Sequence, residues 1–149
     1  MTEIGIYLED EKAVMPEVAY EGTSACFDLI CIEDTTIPAK GSALVPNGVR
    51  ASIPQGYYLE FATRSGMGIK NNLRVHPGII DHGYSGPLAV KVFNLGDNDV
   101  TIEKGKGCVQ VKVCKIPEYS LKQITKEEFD DYSTSSVRGE KGFGSSDKK

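Results

Sequence analysis

The sequence predicts an all-β domain, built as a sandwich or a barrel from many short strands. Its 149 residues are the length of one domain, and a chain of this size buries enough surface for a core. Short runs rich in β-branched and aromatic residues recur at spacings of about 8–12 residues. Turn sequences such as IPAKG, VPNG, IPQG and LGDND separate these runs. Sequence typical of helices is scarce.

Eight runs predict strands. They cover residues 25–32, 42–46, 48–53, 56–62, 72–76, 87–94, 99–103 and 107–116. In the last run, valines alternate with Gln110 and Lys112, close to the period of two that a half-buried strand shows. One short helix is predicted over residues 126–132, with Thr125 as its N-cap.

Composition and charge narrow the function classes. The net charge of −4 argues against a partner surface for nucleic acid or for an anionic membrane. No apolar run approaches the roughly 20 residues of a membrane span, and the first residues lack the pattern of a secretory signal. The spacings of Cys26, Cys31, Cys108 and Cys114 fit no common zinc site. We therefore expect small buried thiols in a soluble, cytoplasmic protein.

The character of the chain changes at Ser133. Residues 133–149 are small, polar and nearly free of apolar side chains, so this segment cannot bury enough surface to stay ordered alone. Two interpretations remain open: a disordered end, or an arm that orders on another surface. The run RGEKGFGSS, residues 138–146, combines cations, an aromatic ring, glycines and serines.

Residues 63–68, TRSGMG, follow a predicted strand and favour phosphate binding. Arg64 supplies a fixed cation, Ser65 a hydroxyl donor, and Gly66 and Gly68 allow close approach of backbone N–H groups. An ordinary structural turn has the same composition, so this run alone does not decide between phosphate binding and a structural turn.

Residues 77–94 predict a hairpin whose broad turn displays Asp81, His82 and Tyr84. An aspartate beside the Ile79–Ile80 pair would be partly desolvated and suited to act as a base. The alternative is that Asp81 and Gly83 only make the turn. We expect His82 to be a solvated turn residue.

Two polar residues interrupt apolar strands. Gln110 needs a hydrogen-bond partner if buried, so it either braces a loop or contacts a ligand. Asp28 is costly to bury unless paired, and Arg64 or Arg50 would be a suitable partner. Together the four stretches describe polyanion chemistry without a P-loop, and no HExxH or Ser-His-Asp order is present.

The order of these stretches resembles the five motifs of trimeric dUTP diphosphatases (dUTPases). The resemblance runs from about residue 23 to residue 146 and rests on AxxDL, RSG, GxIDxxYxG, a glycine-rich turn before a VQ strand, and RGxxGFGSS. It implies a distorted jelly-roll or β-barrel subunit that forms a homotrimer with sites between subunits. Residues 1–132 would form the domain, and residues 133–149 an arm closing over a neighbouring subunit's site.

The resemblance also implies a reaction, the hydrolysis of dUTP to dUMP and pyrophosphate with Mg²⁺. Asp81 matches the catalytic aspartate that activates a water for attack on the α-phosphorus. Tyr84 matches the tyrosine under the deoxyribose, while Gly78 and Ala89 match the backbone that reads uracil. Asp28 matches an aspartate that reaches the metal through water. The matched phosphate contacts are Arg64, Ser65, Gly66 and Gln110.

In the arm, the resemblance gives each part of RGEKGFGSS a role. Phe143 would stack on uracil, Arg138 would contact phosphate, and Ser145 and Ser146 would donate to the γ-phosphate. Gly144, like Gly142, would permit tight wrapping.

The sequence departs from the family pattern at several positions. Thr63 replaces a proline, Ser85 stands where arginine or glutamine is common, and Pro77 and Asp147 are unusual at their positions. Lys106 and Gly107 replace an acidic residue and an arginine of the fourth motif. These changes indicate a divergent member with its catalytic set intact.

Three other functions compete with dUTP hydrolysis. A dCTP deaminase would need a glutamate base, which the Asp81 segment does not offer. A trimeric nucleotide-binding regulatory protein has no need of Asp81, although a dual role stays open. A structural jelly roll, such as a coat protein, would not explain the arm or the RSG loop.

Overall fold

A computed structural model describes residues 1–147, which divide into two compact units. The first unit runs from Met1 to Pro117, and the second begins at Glu118. None of the helices described in these residues has the length and apolar character needed to cross a membrane.

The first unit is made almost entirely of short strands. Its elements in chain order are β1 (Gly5–Leu8), β2 (Cys26–Ile30), β3 (Thr35–Ile37), β4 (Ser42–Val45), β5 (Val49–Ser52), β6 (Tyr57–Ala62), α1 (Ser65–Asn71), β7 (Leu73–Val75), β8 (Ile79–Ile80), β9 (Val90–Asn94), β10 (Val100–Ile102) and β11 (Gly107–Lys115). The second unit holds α2 (Lys126–Ser135).

The strands pair into four small antiparallel sheets. One sheet has the order β2-β11-β6-β8, and another the order β4-β9-β7. Two further pairs, β1 with β5 and β10 with β3, complete the arrangement. Neighbours in a sheet are mostly distant in sequence, as in jelly-roll architectures. The predicted all-β, jelly-roll-like fold is confirmed.

The core lies between the sheets and follows the period of two. In β9, the buried Val90 and Val92 alternate with the exposed Lys91. Burying each such side chain contributes about 1.5–3 kcal/mol. The largest fully buried apolar side chains come from eight of the eleven strands and, in the case of Leu88, from the segment before β9: Leu29, Ile37, Leu59, Leu73, Leu88, Val45, Val49, Val90, Val92, Val109 and Val111.

All eight predicted strands are present, mostly with shorter bounds, but three strands and a helix were missed. The strands β1, β3 and β8 have four, three and two residues, too few to show a clear period. The helix α1 contains Gly66 and Gly68, which are poor helix formers. Its burial of Met67 in the core compensates for that weak propensity.

The predicted hairpin over residues 77–94 is wrong. Its two flanks join different sheets, because β8 pairs with β6 while β9 pairs with β4 and β7. Residues 81–87, named here the Tyr84 loop, therefore connect two sheets instead of closing one hairpin.

The predicted helix with a Thr125 cap is confirmed and extends to Ser135. Thr125 Oγ1 accepts a hydrogen bond from Glu128 N at 3.2 Å, and Thr125 N donates to Glu128 Oε2 at 2.7 Å. This is a capping box, worth about 1 kcal/mol. The predicted boundary between residues 132 and 133 falls inside α2, whereas the compact units divide after Pro117. Closure of residues 133–149 over a neighbouring subunit stays a prediction.

Candidate active site

Five of the predicted site residues line one cleft in the first unit, named here the Asp28 cleft. Its volume is about 340 Å³. The five predicted residues are Asp28, Arg64, Ser65, Gly66 and Gln110, and the remaining lining is Ala19, Tyr20, Ser24, Ala25 and Cys26.

Strand register brings this set together. Gln110 of β11 lies opposite Asp28 of β2 on one side and opposite Ala62 of β6 on the other. Arg64 and Ser65 follow Ala62 after one intervening residue, Thr63, so the end of β6 places them at the same edge of the sheet. The stretches that the sequence predicts for phosphate binding thus become neighbours through the pairing of strands that are far apart in sequence.

Arg64 is held in place by two contacts. Its Nε forms a salt bridge with Asp28 Oδ2 at 3.1 Å, and its Nη1 donates to the carbonyl of Gly107 at 3.0 Å. The predicted pairing of Asp28 with Arg64 is confirmed, while Arg50 binds Glu9 instead. A Cβ at position 107 would lie 2.9 Å from the Arg64 guanidinium carbon. Glycine at this position therefore makes room for Arg64.

Burial raises the pKa of Asp28 above its ordinary value of 3.8. Its side chain is 19% exposed, and loss of solvation disfavours the charged carboxylate. The positive charge of Arg64 acts in the opposite direction without cancelling the effect, and the carboxylate of Glu17 adds to it.

Gln110 braces the turn before Arg64. Its Nε2 donates to the Thr63 carbonyl at 2.9 Å, which is the first of the two alternatives predicted for it. Thr63 Oγ1 in turn accepts a hydrogen bond from Val75 N at 3.0 Å. Thr63 therefore connects β11 and β7 through this turn. The sequence showed only that Thr63 replaces a proline of the family pattern, and it did not indicate this role.

Ser65 and Gly66 begin α1 and are exposed at the cleft. A Cβ at Gly66 would meet no atom within 4 Å, so local packing does not demand a glycine there. The absence of a side chain leaves open space beside a fixed guanidinium and a hydroxyl donor. Such a space suits a phosphate group.

The Tyr84 loop presents its functional groups to solvent. Asp81 is exposed in this chain, and Ile79, at 60% exposure, does not cover it. The predicted partial desolvation of Asp81 is therefore wrong for the chain on its own. His82 is exposed, as predicted, with its Nδ1 at 2.6 Å from the Ile53 carbonyl.

Bonds within the loop fix Tyr84. Its N–H donates to the Asp81 carbonyl at 3.2 Å, and its Oη donates to the Pro87 carbonyl at 3.0 Å. A Cβ at Gly86 would collide with the Tyr84 ring, so this glycine lets the ring fold back over the loop. Gly86 is the last glycine of the GxIDxxYxG motif, but the sequence analysis gave it no role of its own.

Gly78 and Ala89 lie outside the Asp28 cleft, as do Asp81 and Tyr84. The Gly78 carbonyl accepts from Phe61 N at 3.0 Å, and Ala89 N donates to the Pro87 carbonyl at 3.0 Å. The first unit therefore presents its share of the predicted site in two parts, the Asp28 cleft and the Tyr84 loop with its flanks.

The remaining predicted residues belong to the second unit and form local turns there. Arg138 Nε donates to the Lys141 carbonyl at 2.7 Å, and Ser145 N donates to the Gly142 carbonyl at 3.1 Å. The Phe143 ring is fully exposed. Gly144 has a positive φ of 90°, which glycine adopts without strain. Ser146 is also exposed.

The residues of the cleft could hold a magnesium ion only together with a bound ligand that supplies further oxygen atoms. Among residues 1–147 there is no group of three or more His, Cys, Asp or Glu side chains that could hold a metal. Asp28 is the carboxylate that lines the cleft, and one of its oxygens already binds Arg64. Mg²⁺ at such sites keeps waters and phosphate oxygens as its main ligands.

Comparison with known proteins identifies the family. The family model described as dUTPase matches residues 11–147. The deoxyuridine 5'-triphosphate nucleotidohydrolase of Debaryomyces hansenii is 37% identical over 143 residues, covering 96% of this chain and 86% of that protein. The corresponding protein of Solanum lycopersicum is 38% identical over 135 residues, covering 91% of this chain and 76% of that protein.

Solved structures agree with the sequence comparison. The dUTPase of Staphylococcus bacteriophage 80alpha with dUPNHPP superposes with a TM-score of 0.82 at 28% identity, covering 98% of this chain and 99% of that one. A mutant dUTPase from phage phi11 of S. aureus, described as coordinating a structural Mg(II) ion, has a TM-score of 0.75 at 25% identity, covering 83% and 97%. The chain therefore belongs to the dUTPase family and is an enzyme of the dUTP diphosphatase class.

Proposed function

We propose that this chain hydrolyses dUTP to dUMP and pyrophosphate, with Asp81 as the base that activates the attacking water. The observation that carries the proposal is the Asp28 cleft, where the Arg64 guanidinium, held by a salt bridge and a hydrogen bond, faces open space beside Ser65 and Gly66. A fixed cation with small neighbours suits the triphosphate of a nucleotide.

In the proposed reaction, Asp81 accepts a proton from water as the water oxygen attacks the α-phosphorus. The bond from the α-phosphorus to the oxygen bridging it to the β-phosphorus breaks, and pyrophosphate leaves. Arg64, Ser65, Gly66 and Gln110 contact the phosphates and stabilise the charge that develops. When bound with the triphosphate, Mg²⁺ neutralises phosphate charge, and Asp28 would hold it through a water molecule.

The nucleoside would be recognised by the Tyr84 loop and its flanks. The Tyr84 ring would pack against the deoxyribose and leave no room for a 2′-hydroxyl. The backbone at Gly78 and Ala89 would bind uracil. In the second unit, Phe143 would stack on the base, while Arg138, Ser145 and Ser146 would bind phosphate with Gly144 permitting the wrapping.

We infer that the complete site forms between subunits of a homotrimer. Two observations support this inference: the Tyr84 loop does not line the Asp28 cleft, and Asp81 is exposed within one chain. A catalytic base gains from exclusion of water, so a second surface is needed to cover it. Light scattering tests the assembly, since a mass near 16.2 kDa would contradict shared sites.

The function is tested by pyrophosphate release from dUTP with Mg²⁺, alongside dCTP, dTTP and UTP. We expect release from dUTP only, and its loss in Asp81→Asn by a factor of roughly 100 or more. Nucleotide binding by this variant, measured by calorimetry, should stay nearly intact because the change preserves size. Normal turnover by Asp81→Asn would remove the role of Asp81.

A regulatory role is the second candidate. Structures of the dUTPase of bacteriophage 80alpha are described as showing control of the transfer of virulence genes by a proto-oncogenic G protein-like mechanism. The same release assay separates the candidates. Binding of dUTP without release from any nucleotide would favour a sensor over an enzyme.

A further inference from the structure

Arg50 of β5 connects the start of the chain to the Tyr84 loop. Its Nε donates to Glu9 Oε2 at 2.7 Å and its Nη2 donates to Glu9 Oε1 at 2.7 Å. The remaining arm of the guanidinium, Nη1, donates to the Ser85 carbonyl at 3.1 Å. A bidentate pair of this kind fixes the plane of the guanidinium, and therefore the direction of the third bond.

The third bond meets the loop directly after Tyr84. The two bonds of Tyr84, to the Asp81 and Pro87 carbonyls, lie within the loop and do not orient it on the domain. Side-chain bonds from the loop to the rest of the described first unit come from His82, to the Ile53 carbonyl, and from Arg50. Backbone pairing of Arg50 with Pro87 fixes the exit of the loop.

We propose that Glu9 and Arg50 are positioning residues that set the sugar selectivity of the Tyr84 loop. The proposal rests on the proposed function, in which Tyr84 packs under the deoxyribose. Selection against one hydroxyl depends on where the ring lies, and displacements of about 1 Å are enough to change rates strongly. Arg50 holds the peptide that follows the ring, and Glu9 holds Arg50.

The side-chain types of Arg50 and Glu9 both suit this contact. Lysine at position 50 would have no fork with which to bind both Glu9 oxygens and still reach Ser85. The hydrogen bond from Arg50 lowers the pKa of Glu9 below its ordinary value of 4.5, so the carboxylate is charged at neutral pH. Neither residue belongs to the motifs that the sequence shares with its family.

The first unit offers a matched control. Lys40 Nζ lies 3.2 Å from Asp97 Oδ1 and donates to the Leu95 carbonyl at 3.0 Å. This second cation also bridges a carboxylate and a loop carbonyl, but in a loop without a proposed role. Asp97→Asn is therefore the control for Glu9→Gln, and Lys40→Gln the control for Arg50→Gln.

The experiment measures the ratio of kcat/KM for dUTP to that for UTP, and the ratio of Kd for UMP to that for dUMP. We expect Arg50→Gln to lower the kinetic ratio about tenfold and Glu9→Gln about threefold. Arg50→Lys should fall between Arg50→Gln and the wild type. The two control variants should keep the wild-type ratio.

The outcomes separate the proposal from a purely structural role. Equal losses for dUTP and UTP, together with a lower Tm, would overturn it, as would unchanged ratios in folded variants. If Arg50→Gln does not fold, Glu9→Gln decides, because it leaves the Arg50 side chain in place. If the wild type releases no pyrophosphate, the proposed function fails, and the Kd ratio still tests the positioning of the loop.

Discussion

Two arginine–carboxylate pairs support the two parts of the site, and the pKa values of their carboxyl groups are shifted in opposite directions. In the Asp28 cleft, the Asp28 side chain is 19% exposed and the Arg64 side chain 40% exposed, and loss of solvation raises the pKa of Asp28. At the Tyr84 loop, the Glu9 side chain is 45% exposed, and the hydrogen bond from Arg50 lowers the pKa of Glu9. The same pairing chemistry therefore gives opposite results according to solvation.

This difference shows how each region is built. The Asp28 cleft is set by strand register and partly enclosed by its own chain. The Tyr84 loop lies at the surface, held by side-chain bonds, with its carboxylate Asp81 exposed. A cleft of this kind is ready for a polyanion before the ligand arrives, whereas the loop needs an additional cover before its carboxylate can act in a dry site.

Removing the proposed cover should have the largest effect. Deletion of residues 137–149 leaves α2 and the whole first unit intact. We expect kcat for dUTP to fall roughly 100-fold, because closure excludes water and completes the set of phosphate donors. Differential scanning calorimetry should show little change in Tm. A collapse of Tm would instead make this segment a structural strap.

Within residues 137–149, Phe143→Ala separates the contribution of the aromatic ring from that of the rest of the segment. Its ring is fully exposed in this chain, so its loss should leave stability unchanged. The lost stacking on a base corresponds to about 1–3 kcal/mol in binding, visible as a raised KM. An unchanged KM would remove the stacking role.

A methyl group at position 107 should disturb the Asp28 cleft and spare the loop. In Gly107→Ala, the new Cβ would lie 2.9 Å from the end of the Arg64 side chain, which must move and lose its bond to the carbonyl of residue 107. We expect kcat/KM for dUTP to fall about tenfold with no loss of discrimination against UTP. Lys106→Ala, with an exposed side chain in the same turn, is the control. Normal kcat/KM would show that Arg64 does not depend on this contact.

The sequence was informative where chemistry is local and strands are long enough to show a period. The pairing of Asp28 with Arg64, the strand of Gln110 and the Thr125 cap all depend on residues whose type restricts their partners. Burial of Asp28 demanded a cation, and few arginines were available.

Features that depend on tertiary contacts could not be predicted from the sequence. The two-residue β8 joins β6 instead of β9, and nothing in Ile79–Ile80 specifies that partner. From the sequence, Gly107 was recognisable only as a departure from the family pattern, yet its missing side chain accommodates Arg64. Glu9 and Arg50 are 41 residues apart, and surface pairs of that kind have no sequence signature.

Thr63 connects β11 and β7 beside the Asp28 cleft, and its hydroxyl should affect stability more than catalysis. In Thr63→Val, the Val75 N–H loses its acceptor at 3.0 Å without a change in side-chain size. An unsatisfied, part-buried donor costs about 1–3 kcal/mol, which urea unfolding would detect. Thr63→Ser retains the oxygen and should lose less. A loss in Thr63→Ser without a loss in Thr63→Val would mean that the methyl group, and not the hydrogen bond, matters.

The smallest expected effect is on the pH dependence of stability, measured in Asp28→Asn and Glu9→Gln. It tests directly the difference between the Asp28–Arg64 pair and the Glu9–Arg50 pair. Folded Asp28 has a raised pKa, so the folded state binds this proton more tightly than the unfolded state does. Relative to Asp28→Asn, the wild type should therefore lose stability as pH rises from about 3.8 through that raised value. Folded Glu9 has a lowered pKa, so relative to Glu9→Gln the wild type should gain stability as pH rises towards 4.5.

Urea unfolding between about pH 3 and pH 7 measures both differences. The two curves should slope in opposite directions in the acid range. Slopes of the same sign would mean that the charge of the arginine, and not solvation, governs both pairs. The Asp28 cleft would then be as open to water as the Tyr84 loop, and the Arg64 guanidinium would bind phosphate no more strongly than a surface cation does.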